Sequence, residues 1–285
     1  MVFGNSITTI GNYAFQGDEY SNSKFNQITS VVFPDSITSI GHSAFARNKI
    51  SGSVVFPDAV TTIHNGAFYS NEITSVVFGN SITHLGGFGL NKITSLVIPE
   101  SVTHIGTSAF YKNKISGSLV FPDSVTSIGE SAFARNKIES VVIPNSVTSI
   151  GRAAFDNNKL ESLVIPNSVT SIGTEAFSGN HRLTSVVIGN SVTSIGFYTF
   201  ANAVLVTSVV IPDSVKSIGS YAFYNWKSLT SVVFGNAVTT IGAKAFAHCE
   251  SLTFVVIPNS VTSISSSAFE NTGLTVVPTG PGTWN

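Results

Sequence analysis

Apolar and polar residues alternate along this chain in short bursts, each cut off by a breaker. In one stretch Leu160, Leu163 and Ile165 are apolar, Ser162 and Val164 stand between them, and Pro166 follows. Alternation with period two predicts a short strand, which proline ends by removing a backbone donor. Val169 and Ile172 then stand three apart, a spacing that predicts a bend or a very short second strand. Ile172, Ala176 and Phe177 fall at i, i+4 and i+5, which predicts one helical turn carrying Phe177 inward.

The burst recurs from end to end. Ser146-Val147-Thr148-Ser149-Ile150-Gly151, leading into Ala154-Phe155, returns with small changes about every 22 or 23 residues. Self-similarity at this period is the mark of a solenoid. Aligning on the isoleucine anchor gives twelve units, at Ile10, Ile40, Ile63, Leu85, Ile105, Ile128, Ile150, Ile172, Ile195, Ile218, Ile241 and Ile264. The first gap is long, with an insertion between Gln16 and Asn26, and the gap after Leu85 is short by two residues around Gly86-Gly87-Phe88. Stacked in register, the strands form a parallel sheet, and the expected fold is an α/β repeat of about twelve units with short helical turns. A phenylalanine column running from Phe15 through Phe155 to Phe269 is expected in the core. Three residues after it an asparagine recurs (Asn48, Asn71, Asn113, Asn136, Asn158, Asn180), placed to bond backbone groups that a corner leaves open.

The composite L-x-S-V-V-I-P-N-S-V-T-S-I-G-x-x-A-F-x-x-N resembles the leucine-rich repeats of the BspA-like, Treponema-type class, from Phe3 to about Pro278. That class usually places cysteine after A-F-x-x; only Cys249 keeps it here, with asparagine elsewhere. The resemblance implies a right-handed leucine-rich-repeat solenoid. It also implies a place on bacterial, or some protozoan, cell surfaces, often with a part in adhesion, and it supplies no catalytic residues.

Composition narrows the classes further. Charged residues are 10% of the chain, well under the roughly 25% of ordinary soluble domains. No run approaches the ~18 apolar residues that span a bilayer, so membrane insertion is not expected. A net charge of -1 offers no general attraction for nucleic acid. Cys249 is alone, so no internal disulfide forms. Met1-Val2-Phe3-Gly4 lacks the features of a signal peptide and opens in a strand slot, so the chain is expected to begin inside a longer protein. Residues 1–278 are expected to be one repeat domain, and residues 279–285 a tail or linker.

Chemistry-bearing residues gather in columns. Arg47, Lys49, Lys92, Lys112, Lys114, Arg135, Lys137, Lys159 and Arg182 all follow the phenylalanine slot closely, so stacking lines them along one edge. Phe197, Tyr198, Tyr221, Tyr224 and Trp226 break the small-residue habit of the ninth and tenth repeats and are expected at the surface, where aromatic rings suit sugar or peptide contact. Outward strand positions form a valine stripe (Val32, Val55, Val77 and onward) beside a serine stripe. His84 and His104 share a slot in adjacent repeats, but no third ligand is evident, so neither a metal site nor a cofactor is expected. No nucleophile triad, paired-carboxylate pattern or phosphate loop is present.

These features point to a non-enzymatic module of an adhesin-like protein at the cell surface or secreted. Its expected partner is a host or matrix protein or an acidic glycan, bound through Lys114, Arg135, Lys137 and Lys159 or through the aromatic group. A structural stalk without a specific ligand is the alternative. The threonine column from Thr8 to Thr262 raises a third possibility, ice binding, which Lys216 interrupts.

Overall fold

A computed structural model describes residues 1–17, 27–276, 278 and 280–284. Most of the expected insertion, residues 18–26, and Thr279 and Asn285 of the expected tail lie outside them. Two compact units divide the chain, Met1–Ile138 and Glu139–Asn285.

In the first unit a two-residue strand ends on each anchor: Thr9–Ile10, Ser39–Ile40, Thr62–Ile63, His84–Leu85, His104–Ile105 and Ser127–Ile128. They pair in parallel with anchor against anchor. A second ladder holds longer strands such as Ser51–Val55 and Glu72–Val77. The second unit repeats the plan, with Ser149–Ile150 on Ser171–Ile172 and Ser194–Ile195 leading a run to Ser263–Ile264. Its longer strands include Ser162–Val164 paired with Ser185–Val187. There Leu163 and Val186 point into the core while Ser162, Val164, Ser185 and Val187 are exposed, as period-two alternation requires. The very short second strand is therefore present. From the expected tail, Gly282–Trp284 pairs antiparallel with Val255–Ile257.

The helical turns need correction. No helix occurs among the described residues, so the fold is an all-β parallel solenoid of stacked coils rather than an α/β repeat. About ten turns are present rather than twelve; the coils anchored at Ile10, Ile40 and Ile105 carry the short strand without a longer one. The reason lies in where the donors go. Ser43, Phe45 and Arg47 send their N–H groups to the carbonyls of Asn65, Ala67 and Tyr69 in the next coil, while Ala44 and Ala46 reach only three residues back. An α-helix needs each N–H to bond four residues back, and here every second donor is committed between coils. Ser43 and Arg47 accordingly take left-handed φ values of 51° and 58°, and Ala153 and Asn157 repeat this at 50° and 53° in the second unit.

The phenylalanine column still faces inward, through this turn instead of a helix. Phe45, Phe68, Phe88, Phe110 and Phe133 stack in the first unit with ring centroids 5.2–5.6 Å apart. Phe155, Phe177, Phe200, Phe223, Phe246 and Phe269 stack in the second at 5.1–5.8 Å, and none is more than 1% exposed.

Candidate functional site

Most corners are closed by a buried amide, at Asn48, Asn71, Asn91, Asn113, Asn136, Asn158 and Asn180. Asn71 donates to the carbonyl of Phe45 in the preceding coil at 2.9 Å and to that of Phe68 in its own at 3.1 Å, while its Oδ1 accepts the Ile50 N–H at 3.0 Å. Asn91, Asn113 and Asn136 repeat the pattern. Both ends of the amide are used, which makes a polar group stable in an apolar corner. The asparagine column is therefore structural, as its spacing predicts, and Asn91 belongs to it although the short coil hides it in the sequence.

Trp226 belongs to the same slot, and its expected surface position is overturned. The ring is fully buried and its Nε1 donates to the Phe200 carbonyl at 2.6 Å, the bond asparagine makes elsewhere. The backbone points inward three residues after each phenylalanine, so whatever stands there is buried. Cys249 shows the same rule: its Sγ lies 3.5 Å from the Phe223 carbonyl, and burial pushes the thiol up to about 12. Alignment of Trp226 with Asn180 and Cys249 was the available signal.

Because the asparagine points in, the residues on either side of it point out. Lys112 and Lys114 flank Asn113, and Arg135 and Lys137 flank Asn136, all four exposed. None of the four is ion-paired to a carboxylate among the described residues; Lys112 Nζ lies 5.5 Å from the centre of the Tyr111 ring. Adjacent coils in a β ladder are about 4.8 Å apart, so the four cations form a compact plaque on the first unit. The same edge is broken lower down, where Glu72 takes the lysine slot and bonds Lys92 at 2.8 Å. That hydrogen bond, then the Lys92 charge, holds the Glu72 carboxyl below its ordinary range. In the second unit Lys159 is half-buried and Arg182 exposed.

The remaining aromatic residues do meet, on the second unit. Tyr198 and Tyr221 stack at 4.5 Å and 8°, with Phe197 edge-on to Tyr198 at 4.4 Å and Tyr224 5.4 Å from Tyr221. Lys244 Nζ lies 6.0 Å from the Tyr221 ring centre and 3.5 Å from Glu270. Burial first, then Tyr221 and Tyr224, raises the Tyr198 phenol. Both tyrosines sit at left-handed φ, 53° and 59°, where a side chain costs roughly 1–2 kcal/mol against glycine. Stacking occupies one face of each ring, so the column presents mainly ring edges and hydroxyls, with Phe197 the most exposed ring.

Threonine hydroxyls are committed to the fold: Thr38, Thr61, Thr103 and Thr126 each donate to a carbonyl one coil back. His84 and His104 stack at 4.8 Å and 1°. Among the described residues, no group of three or more histidine, cysteine or acidic side chains could hold a metal ion.

Parallel coils of this length, closed by a stacked phenylalanine column and an amide ladder, define the leucine-rich-repeat class. The family model described as BspA type leucine rich repeat region (6 copies) matches residues 18–116, 87–203 and 148–276, and the chain belongs to that family. No curated protein matches. Among solved structures, a leucine-rich repeat protein from Bacteroides ovatus is 26% identical with a TM-score of 0.64, covering 88% of this chain and 70% of its own. A leucine rich cell surface protein from Faecalibacterium prausnitzii is 26% identical with a TM-score of 0.51, covering 93% and 74%. One from Eubacterium ventriosum shares the fold at 21% identity and a TM-score of 0.55, covering 88% and 84%.

Proposed function

We propose that this chain is a non-enzymatic, adhesin-like binding module of a bacterial cell-surface protein, and that it takes an acidic glycan. The family is a repeat scaffold that mediates protein interactions, and one similar structure carries the name of a cell surface protein. The observation that supports the ligand class is the plaque of Lys112, Lys114, Arg135 and Lys137. The backbone donors of its three lysines are already spent, Lys112 N on Ala134, Lys114 N on Ile93 and Lys137 N on Ile115, which leaves little free edge for a peptide strand to pair with. Charge recognition of a linear polyanion remains. A second reading, protein binding through Phe197, Tyr198, Tyr221 and Tyr224, is favoured by the clustering of these rings on the second unit, with Phe197 exposed. The ice-binding alternative loses support, since the threonine hydroxyls bond carbonyls.

Glycan and protein arrays run at two salt concentrations test both. Replacing the four cations by glutamine is expected to weaken binding to sulfated glycan at least tenfold and to remove most of its salt dependence. Unchanged affinity would exclude the plaque. Loss of binding only on truncation of the four aromatic residues, with little salt dependence, would move the site to the second unit. Absence of any ligand would favour a stalk.

A further inference from the structure

The short coil strands one backbone donor of the first unit. At the third position after an anchor the N–H usually crosses to the next coil: Tyr13, Ser43, Ser108 and Ala153 donate to the carbonyls of His42, Asn65, Glu130 and Thr174 at 2.7–3.3 Å. Gly66 holds that position after Ile63. The following coil, however, reaches Phe88 only three residues after Leu85, where Phe68 stands five after Ile63. The two residues that would carry the acceptor are missing, and the Leu85 carbonyl is taken by the Gly106 N–H at 2.8 Å. Gly66 N–H therefore has no acceptor among the described residues.

The same deletion frees the side chain before it. Asn12 holds the position of Asn65 in an earlier coil, and its Oδ1 accepts the His42 N–H of the next coil at 2.8 Å. Asn65 meets no such donor: it is exposed, and neither of its amide atoms is hydrogen-bonded among the described residues. Asn65 and Gly66 form the centre of a turn that the Ala67 N–H closes on the His64 carbonyl at 3.1 Å, with Gly66 at φ 74°. Glycine meets that positive φ without strain. Asparagine followed directly by glycine occurs nowhere else in the chain, and a following residue without Cβ hinders its own nitrogen least.

We infer that Asn65 is a site of spontaneous deamidation assisted by the Gly66 backbone, with water as the one co-reactant. The Gly66 nitrogen gives up its proton to solvent and attacks Cγ of Asn65. A C–N bond forms, the Cγ–Nδ2 bond breaks, and the amide nitrogen leaves as ammonia. Water then opens the five-membered succinimide. Opening at the new bond gives an aspartyl residue, and opening at the original peptide bond gives an isoaspartyl one. At Ser43 or Ser108 the same attack would first have to break a hydrogen bond between coils. The change also falls at a sensitive place. Asn65 lines a cavity of about 350 Å³ with His42, His64, His84 and His104 and with no carboxylate. Either product sets one negative charge among those imidazoles, and the isoaspartyl form lengthens the turn by one backbone atom as well.

Ageing the untagged folded chain at mildly alkaline pH, followed by peptide mapping with mass spectrometry, tests this. The peptide holding Asn65 should gain about 1 Da and resolve into two products. It should do so at least tenfold faster than the peptides holding Asn80–Ser81 and Asn145–Ser146, whose asparagines are also exposed. Gly66→Ser supplies the residue that Ser43, Ser108 and Ser131 place in this slot at φ 51–53°, and the added Cβ comes closest to Ser43 Oγ, at 3.0 Å. That variant should keep its circular dichroism while its rate at Asn65 falls at least tenfold. Modification at Asn65 only after unfolding in urea would show that the fold protects the site and would overturn the inference. So would modification that appears first at another asparagine, or a rate that Gly66→Ser leaves unchanged.

Discussion

The two units absorb the same one-residue difference in repeat length in different places. In the first, the longer coils insert Gly52 and Gly117 into the outer strand, at φ values of 75° and 73°, and the ladder register shifts between Gly52 and Ser53. In the second, the extra residue follows the corner, where Leu183, Leu229 and Leu252 donate three residues back to Asn180, Trp226 and Cys249. The corners differ too. Asparagine closes each described corner from Asn48 to Asn136, whereas after Asn180 the slot holds Ala203, Trp226 and Cys249. Trp226 and Cys249 keep the bond to the preceding phenylalanine carbonyl but neither replaces the amide oxygen that accepts an N–H in the first unit. What both units share is the inward set of anchor, alanine and phenylalanine. The coil tolerates variation only where it does not move that set.

Volume at the corner should matter more than hydrogen bonding, and that gives the largest expected effect. Trp226→Ala is expected to destabilise by roughly 3–5 kcal/mol as a fully buried aromatic truncation. Asn113→Ala, which strands buried backbone groups, should destabilise by about 1–3 kcal/mol. Urea unfolding of both variants gives the order, and a milder effect at Trp226 would mean the second unit's corner relaxes around the loss. Next comes the bulge. A Cβ on Gly117 meets nothing within 4 Å, so Gly117→Ala should lose about 1–2 kcal/mol through its left-handed backbone alone. No loss would show that the bulge shifts to another conformation.

The smallest effect is one of pH and belongs to the first unit. Burial, then His42 and His84, holds the His64 imidazole below its ordinary value of 6.5, so the unfolded chain protonates first as pH falls. Its stabilising contribution is full above that value and is lost as pH drops from about 6.5 through the lower folded-state value. Melting temperatures measured between pH 7.5 and 5 should fall less in His64→Gly, which restores the residue usual in that slot. Equal slopes in parent and variant would assign the acid sensitivity elsewhere.

Much of this was legible in the order of residues. The anchors, the inward phenylalanines and the alternation around Leu163 follow from period and polarity, because a strand's side chains must alternate whatever surrounds it. The asparagine corner was legible as well, since a buried amide beside open backbone has one evident use. The helical turn was misread because i, i+4 and i+5 spacing is shared by a helix and by a turn whose donors reach across coils. Trp226 was misplaced by composition, an aromatic among aromatics, when its slot already put it inside. Glu72 was overlooked among lysines, though it occupies their column.

Sequence alone therefore determined the coil: its length, which residues turn inward, and which columns are charged, aromatic or small. Those properties are local and repeat every turn. Tertiary structure decided which residues meet across coils, and so whether a donor closes a helix or a ladder. It decided too that the rings of Tyr198 and Tyr221 cover one another. It brought His42 and His64, from two other slots, beside the His84–His104 pair at one cavity. The repeat period encodes the His84–His104 pair, but not the approach of His42 and His64, which arises from how unlike neighbours fit together.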